Sequence, residues 1–289
     1  MKKDKNIMKL GIVGHGFVGK ATDWAFEGVE KFVVDPLYKT NIDDLKKIDP
    51  DIIFVCVPTP MLEDGSQDNL ILFSVVKELS EKCLDSTIVI KSTVIPNMLE
   101  DLKILNKKII YNPEFLREKH AKEDFINSKM IIFGGDKAEA SKVSKFYQDY
   151  SKCITKEHIF LDLTAASFVK YAINTFLATK VLFFNELNDL FSESSSSDDW
   201  KTVIETISLD SRIGSSHMDV PGHDGRRGFG GACFPKDTKA LLKYAASLGV
   251  NLSTLEAVVN KNNLIRSSYS DLDVREKEQN INYRSTKDV

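Results

Sequence analysis

The sequence predicts an α/β fold, with an N-terminal Rossmann-type doubly wound parallel sheet followed by an all-helical central domain. Three observations carry this expectation. A short apolar run, Lys9–Val13, leads directly into Gly14-His15-Gly16-Phe17-Val18-Gly19. Strand-length apolar runs and helical segments then alternate to about residue 160, which implies a sheet wound with helices on both faces. From about Leu163 the apolar residues Ala165, Phe168, Val169, Ala172, Phe176, Leu177 and Val181 recur at three- and four-residue spacing, the helical period.

The glycine segment comes first in the chain and points to a dinucleotide. Its glycines serve three ends: a tight turn, close backbone approach to a pyrophosphate, and close helix–strand packing. The helix that it opens, through about Phe26, offers unpaired N–H groups and a positive dipole end to phosphate. A second strand, Phe32-Val33-Val34, ends at Asp35, whose carboxylate can accept from a ribose 2′-hydroxyl and would repel a 2′-phosphate. No arginine follows it, so the expected cofactor is NAD, with Gly14, Gly16, Phe17, Val18, Gly19 and Asp35 in its site.

The next run, Ile52–Val57, reads as a buried strand stopped by Pro58-Thr59-Pro60, since proline cannot donate to a ladder. A polar turn at 63–66 precedes a helix from about Asn69 to Lys82, and Thr87–Ile90 is a further strand ending at Lys91-Ser92-Thr93. Strands are expected at Lys108–Tyr111 and Met130–Phe133, and a helix from about Lys137 to Tyr150. Thr59, Thr93 and Asn112-Pro113-Glu114 follow strand ends, and ligands of such sheets lie beyond the carboxyl ends of the strands. In the helical part, Lys170 and Asn174 share a helix face, which by itself reads as a solvated pair. Ser194–Ser197 is a low-complexity loop, with Asp198 or Asp199 capping the next helix. The domain expectation is 1–160 for the dinucleotide domain, 161–265 for the helical domain, and 266–289 for a charged tail, exposed or disordered.

Composition narrows the function class. A net charge of −3 gives no basic surface for nucleic acid, and the absence of a long apolar run or leader predicts a cytoplasmic chain with no membrane partner. The four cysteines are scattered, with no metal-like spacing, so neither a disulfide framework nor a metal site is expected. Cys56, Cys83 and Cys153 sit in apolar surroundings, whereas Cys233 stands in Gly228-Phe229-Gly230-Gly231-Ala232-Cys233-Phe234-Pro235-Lys236-Asp237, the context of a presented thiol. A nucleotide fold joined to such a thiol suggests oxidation through a sulfur adduct.

Taken in order, GHGFVG, Val55–Pro60, Lys91–Val94, Asn112–Glu118, Lys170–Ala178, Asp210–Gly214 and GFGGACFPKD resemble the UDP-glucose 6-dehydrogenase family of nucleotide-sugar dehydrogenases, over roughly residues 8–265. The resemblance implies four-electron oxidation of the sugar C6 hydroxymethyl to a carboxylate with two NAD molecules in succession. It implies Cys233 as nucleophile, Lys170 and Asn174 on the developing oxyanion, Asp237 on a water beside Lys170, Glu114 assisting thioester hydrolysis and Thr93 holding a water. Pro58, Thr59, Thr93, Glu118 and Lys236 match cofactor-contacting positions. Phe115, Leu116, Arg117, Lys170, Asn174, Phe229, Gly230 and Gly231 match substrate-contacting ones, with 220–228 as a flexible substrate loop.

It further implies a homodimer built on the Lys170 helix, in which Arg212 reaches the neighbouring active site. UDP-glucose fits this wording best, and the product would supply glucuronate for polysaccharide. UDP-N-acetylhexosamines and GDP-mannose are alternatives. The chain resembles a short form that stops before the family's third, uridine-diphosphate-binding domain, which leaves open how the diphosphate is held. Two other readings stand beside this one. A two-electron dehydrogenase of the β-hydroxyacid type would share the Lys-xxx-Asn pair but need no thiol, and a nucleotide-sugar-binding protein would need none of the catalytic side chains.

Overall fold

The first strands are short, five residues at most, and their order fixes where ligands can reach the sheet. In the computed structural model, which describes residues 7–117 and 120–283, the strands are β1 (Lys9–Val13), β2 (Glu30–Val34), β3 (Ile52–Val55), β4 (Thr87–Ile90), β5 (Ile109–Tyr111), β6 (Ile131–Gly135) and β7 (His158–Leu161). They form one sheet in the order β2-β1-β3-β4-β5-β6-β7. The chain leaves β1 first toward β2 and then crosses back to β3, so the winding reverses beside β1, where such folds open a crevice.

The chain divides into two compact units, one of residues up to 59 together with 68–170, the other of residues 60–67 together with those from 171 onward. In the first unit, alternate residues of each strand feed opposite layers, as the two-residue strand period requires. Ile53, Val55, Ile88 and Ile90 pack with Leu45, Leu72 and Leu99 of α2 (Ile42–Ile48), α3 (Leu70–Lys82) and α4 (Pro96–Leu105). Ile52, Phe54, Val89 and Ile110 pack with Ala25, Phe26, Phe146 and Tyr147 on the side of α1 (Phe17–Ala25) and α6 (Lys137–Tyr150). Helices on both faces explain why these strands read as continuous apolar runs.

One expectation about the sheet is corrected. β6 runs antiparallel to β5, and the parallel pairing resumes only between β6 and β7. Among the described residues, the link from 112 to 130 holds one short α-helix, α5 (Ala121–Ile126), in place of a full helical crossover.

The second unit is helical. α7 (Leu163–Ser192) opens in the first unit, where the Asp162 carboxylate accepts from Ala165 N (2.6 Å), and runs into the second from Tyr171. α8 (Trp200–Ser208) is capped by Asp199, which accepts from Thr202 N. α9 (Phe234–Ser247) starts at Cys233 with proline in its first turn, and α10 (Ser253–Arg266) follows it. The segment after α10 is not the loose extension that its charge suggested. It forms α11 (Val274–Glu278) behind an Asp273/Glu276 capping box and buries Glu276 and Ile281. Met61 N donates to Gln279 O and Lys239 Nζ to Asn282, so the segment is tied down on both sides as far as the described residues run. No described helix is long and apolar enough to cross a membrane.

Candidate active site

In the first unit the candidate site lies at the carboxyl ends of β1 to β5, with Lys170 added from α7. After β1 the chain turns at Gly14 (φ +87°), whose N–H donates to Val34 O (2.8 Å). A Cβ there would lie 2.8 Å from Cys56 O, and one on Gly19 would lie 2.0 Å from Gly14 O, so both positions require glycine. Nothing stands within 4 Å of the Cβ position of Gly16, which leaves the backbone of that turn open to a close-packed ligand. Gly16 is also the N-cap of α1 and brings no side chain to its orphan N–H groups. Phe17 and Val18 begin the helix, half-buried.

Asp35 closes this cradle. It follows β2, and its Oδ2 accepts from His15 N (2.6 Å) while Oδ1 accepts from Leu37 N (2.9 Å). Each carboxylate oxygen keeps a further lone pair for a ribose hydroxyl. The turn, the open helix end and the acid together fit a pyrophosphate and an adenosine ribose.

The ends of β3 and β4 are stitched together. Thr59 Oγ1 donates to Thr93 O (3.0 Å), and Ser92 Oγ donates to Val57 O (2.6 Å), while Pro58 between them is exposed. Beneath them Lys91 Nζ is buried against Asn112 Oδ1 (2.9 Å) and the Tyr147 hydroxyl (3.2 Å). Burial pushes this ammonium down to about 8 and pushes the nearby Cys56 thiol up to about 12. Cys56 is therefore a thiol and not a nucleophile at neutral pH.

Past β5, Glu114 Oε2 accepts from Leu116 N (2.6 Å), and Oε1 lies 3.5 Å from Lys170 Nζ. Lys170 also donates to the Glu114 carbonyl and stands 5.0 Å from the centre of the Phe115 ring. Arg117 forms a forked pair with Asp124. Glu118, a predicted cofactor contact, lies outside the described residues.

In the second unit the chemistry gathers at the start of α9. Cys233 is the exposed cysteine, at the N-cap, and its carbonyl accepts from Asp237 N one turn on. Asp237 is 0 % exposed. Its Oδ2 accepts from Asn174 Nδ2 (2.6 Å) and its Oδ1 from the buried Lys236 ammonium (2.6 Å). Lys170 and Asn174, four apart on α7, are buried and not the solvated pair that their spacing alone suggests, and they have different immediate contacts, the first Glu114 and the second Asp237.

Other expected substrate contacts are engaged internally. Phe229 N and O are both bonded to the Asn262 side chain, and its ring joins the apolar core of this unit. Gly230 and Gly231 face Arg266 and Glu276. Arg212, 87 % exposed in its side chain, pairs with Asp210 (2.6 Å). The 220–228 segment, expected to be flexible, is fixed in this structure by Gly222 N to Arg226 O, Arg226 to Asp271 and Asp224 to Arg266.

The sequence reading did not find Asn185, Asn262, Arg266 and Glu276, which hold the segment before Cys233. The one local signal was Asp273-Val274-Arg275-Glu276, which has capping-box spacing.

Comparison with known proteins gives one family across most of the chain. Residues 37–151 match the NAD binding domain of the UDP-glucose/GDP-mannose dehydrogenase family, and residues 164–264 match its central domain. A UDP-glucose 6-dehydrogenase of Rickettsia felis is 32% identical over 232 residues, 77% of this chain and 50% of that protein. One from Haloferax volcanii is 32% identical over 254 residues, 82% of this chain and 57% of its own length. The structure of a UDP-glucose dehydrogenase from Pyrobaculum islandicum superposes with a TM-score of 0.75 at 27% identity, covering 91% of this chain and 70% of the other. The chain spans about half the length of the first of these curated relatives.

Proposed function

Since the chain belongs to the UDP-glucose/GDP-mannose dehydrogenase family, whose NAD-binding domain it carries, we propose that it oxidises the C6 hydroxymethyl of UDP-glucose to a carboxylate through a thioester on Cys233. The observation that carries this reading is the exposed Cys233 at the start of α9, one turn from a fully buried Asp237 that Asn174 and Lys236 hold. A two-electron alcohol dehydrogenase has no use for such a thiol. Bound NAD supplies the hydride acceptor, twice per sugar.

The chain's own residues account for the rest. Loss of hydride to NAD and of the hydroxyl proton to a water held by Asp237 beside Lys170 would leave an aldehyde, and the Cys233 thiolate adds to its carbon, forming a C–S bond and placing charge on oxygen. Lys170 and Asn174 supply a cation and an N–H donor for that oxygen. Loss of the second hydride turns the adduct into a thioester and restores the carbonyl. Water then attacks, with Glu114 or Asp237 taking its proton and Thr93 helping to hold it, and the C–S bond breaks to release carboxylate and thiolate. The thiohemiacetal on Cys233 keeps the substrate in place for the second hydride loss, whereas a hydrated aldehyde would escape.

UDP-glucose is preferred here because the curated relatives bear that name. A homodimer is part of the proposal, supported by Phe176, Phe183 and Leu190, which recur every seven residues along α7 and are 66%, 59% and 69% exposed. Such a stripe suits a helix packed on its copy. A cytoplasmic location goes with this chemistry.

The test is NADH formed per acid produced, with UDP-glucose beside UDP-N-acetylglucosamine and GDP-mannose. Two NADH per UDP-glucuronate supports the thioester route. One per substrate consumed, with no acid, overturns it in favour of a two-electron dehydrogenase. The cofactor assignment has its own check. Asp35→Ala is expected to weaken NAD binding about tenfold, roughly 1.4 kcal/mol, and to narrow the preference over NADP, as titration calorimetry of both cofactors would read.

A further inference from the structure

Glu276 is a buried carboxylate in a helix of five residues, and neither the proposed chemistry nor the core accounts for it. A capping box alone can be made at the surface, whereas burying a charge is costly unless it is bonded. Oε2 accepts from Asp273 N (3.0 Å) and completes that box. Oε1 is turned the other way, onto the segment that precedes Cys233, where it accepts from Gly231 N (3.1 Å) and from the Tyr283 hydroxyl.

The neighbours of Glu276 extend the same grip. A Cβ on Gly230 would lie 2.6 Å from Glu276 Oε1 and 2.7 Å from Arg266 Nη1, so the backbone is pressed against both side chains. Arg266 Nη2 donates to Gly228 O (2.9 Å), and its Nη1 is anchored on Asp224 (2.6 Å). Asn262 takes both polar groups of Phe229. The backbone from Gly228 to Gly231 is thus held by side chains of α10 and α11, and the thiol follows after Ala232.

We propose that Glu276 is a positioning residue for Cys233: by holding Gly231 it fixes the path of the chain into α9 and so the place of the thiol, which makes 273–283 part of the site's scaffold. The kinetic consequence rests on the reading of Cys233 as nucleophile, while the consequence for thiol reactivity does not. Glu276→Ala removes the acceptor for Gly231 N, and Glu276→Gln keeps an amide oxygen in its place.

In Glu276→Ala the rate of iodoacetamide labelling at Cys233, followed by peptide mass, is expected to change by about fivefold or more, and in Glu276→Gln by less than about twofold. The amides of α10, in the same unit, keep their hydrogen-exchange protection in both, which separates a local effect from general loosening. Turnover of the aldehyde, the thiol-dependent half, should fall about tenfold or more in Glu276→Ala with the NAD dissociation constant unchanged.

Labelling of Cys233 that stays at the wild-type rate in Glu276→Ala, with α10 protected, overturns the proposal, as does an equal change in the glutamine variant. If α10 loses its protection in the alanine variant, Tyr283→Phe decides instead. It removes one donor to Oε1, and an altered Cys233 rate supports the proposal where an unaltered one overturns it. A wild-type chain that oxidises no sugar, yet shows the labelling shift on substitution, sinks the proposed reaction and leaves the positioning role standing.

Discussion

Cys233→Ala is expected to lower carboxylate formation by about a thousandfold or more, because the thioester cannot form without the sulfur. The fold should not notice. Cys233 is exposed at a helix start and belongs to none of the apolar clusters, and substitutions of that kind stay within about 0.5 kcal/mol. NAD binding should be equally indifferent, since the glycine turn, Gly16 and Asp35 belong to the other unit. Acid quantified against NADH, beside a melting curve and a cofactor titration, makes the check. Normal uronate production by this variant would remove the thioester from the mechanism, whatever happened to overall rate.

The thiol could be singled out from sequence because its surroundings differ in kind from those of the other cysteines. Cys56, Cys83 and Cys153 lie in or next to apolar runs, and their thiols are all pushed up, chiefly by burial. The sheet was legible for a similar reason. Runs such as Ile52–Val55 are apolar on both faces, which only a strand covered by helices on both sides allows. Glycines 14 and 19 have no alternative residue once the turn they make is formed.

What sequence could not supply was direction and pairing. Nothing local distinguishes a parallel from an antiparallel strand, and the apolar run of β6 would read the same either way. The Asn174–Asp237 bond and the Lys91–Asn112–Tyr147 group join residues distant in the chain and leave no periodic trace. In the segment after α10 the charge masks a four-residue capping signal and one buried isoleucine. A charged stretch stays loose only when its charges lack partners, and here Glu276 has several.

Those pairings give Asp237 the largest expected effect on stability. Asp237→Ala would leave the Lys236 ammonium, 5 % exposed, without its counter-charge, and Asn174 Nδ2 without its acceptor. Removing one member of a buried pair costs about 3–5 kcal/mol, since the survivor keeps its desolvation penalty. A domain holds only about 5–15 kcal/mol in all, so this variant should unfold at markedly lower denaturant or not accumulate. Asp237→Asn separates that cost from chemistry. The amide is close to the carboxylate in shape and keeps an oxygen for Asn174, so much of the packing survives, but it can neither balance Lys236 nor take a proton from water. The expected result is a folded, less stable protein that still forms the adduct and is slow to release it. Intact-mass measurement after mixing with NAD and UDP-glucose should then find the sugar nucleotide retained on Cys233. If the asparagine variant releases acid at the wild-type rate, Asp237 is structural only and the hydrolytic base is Glu114.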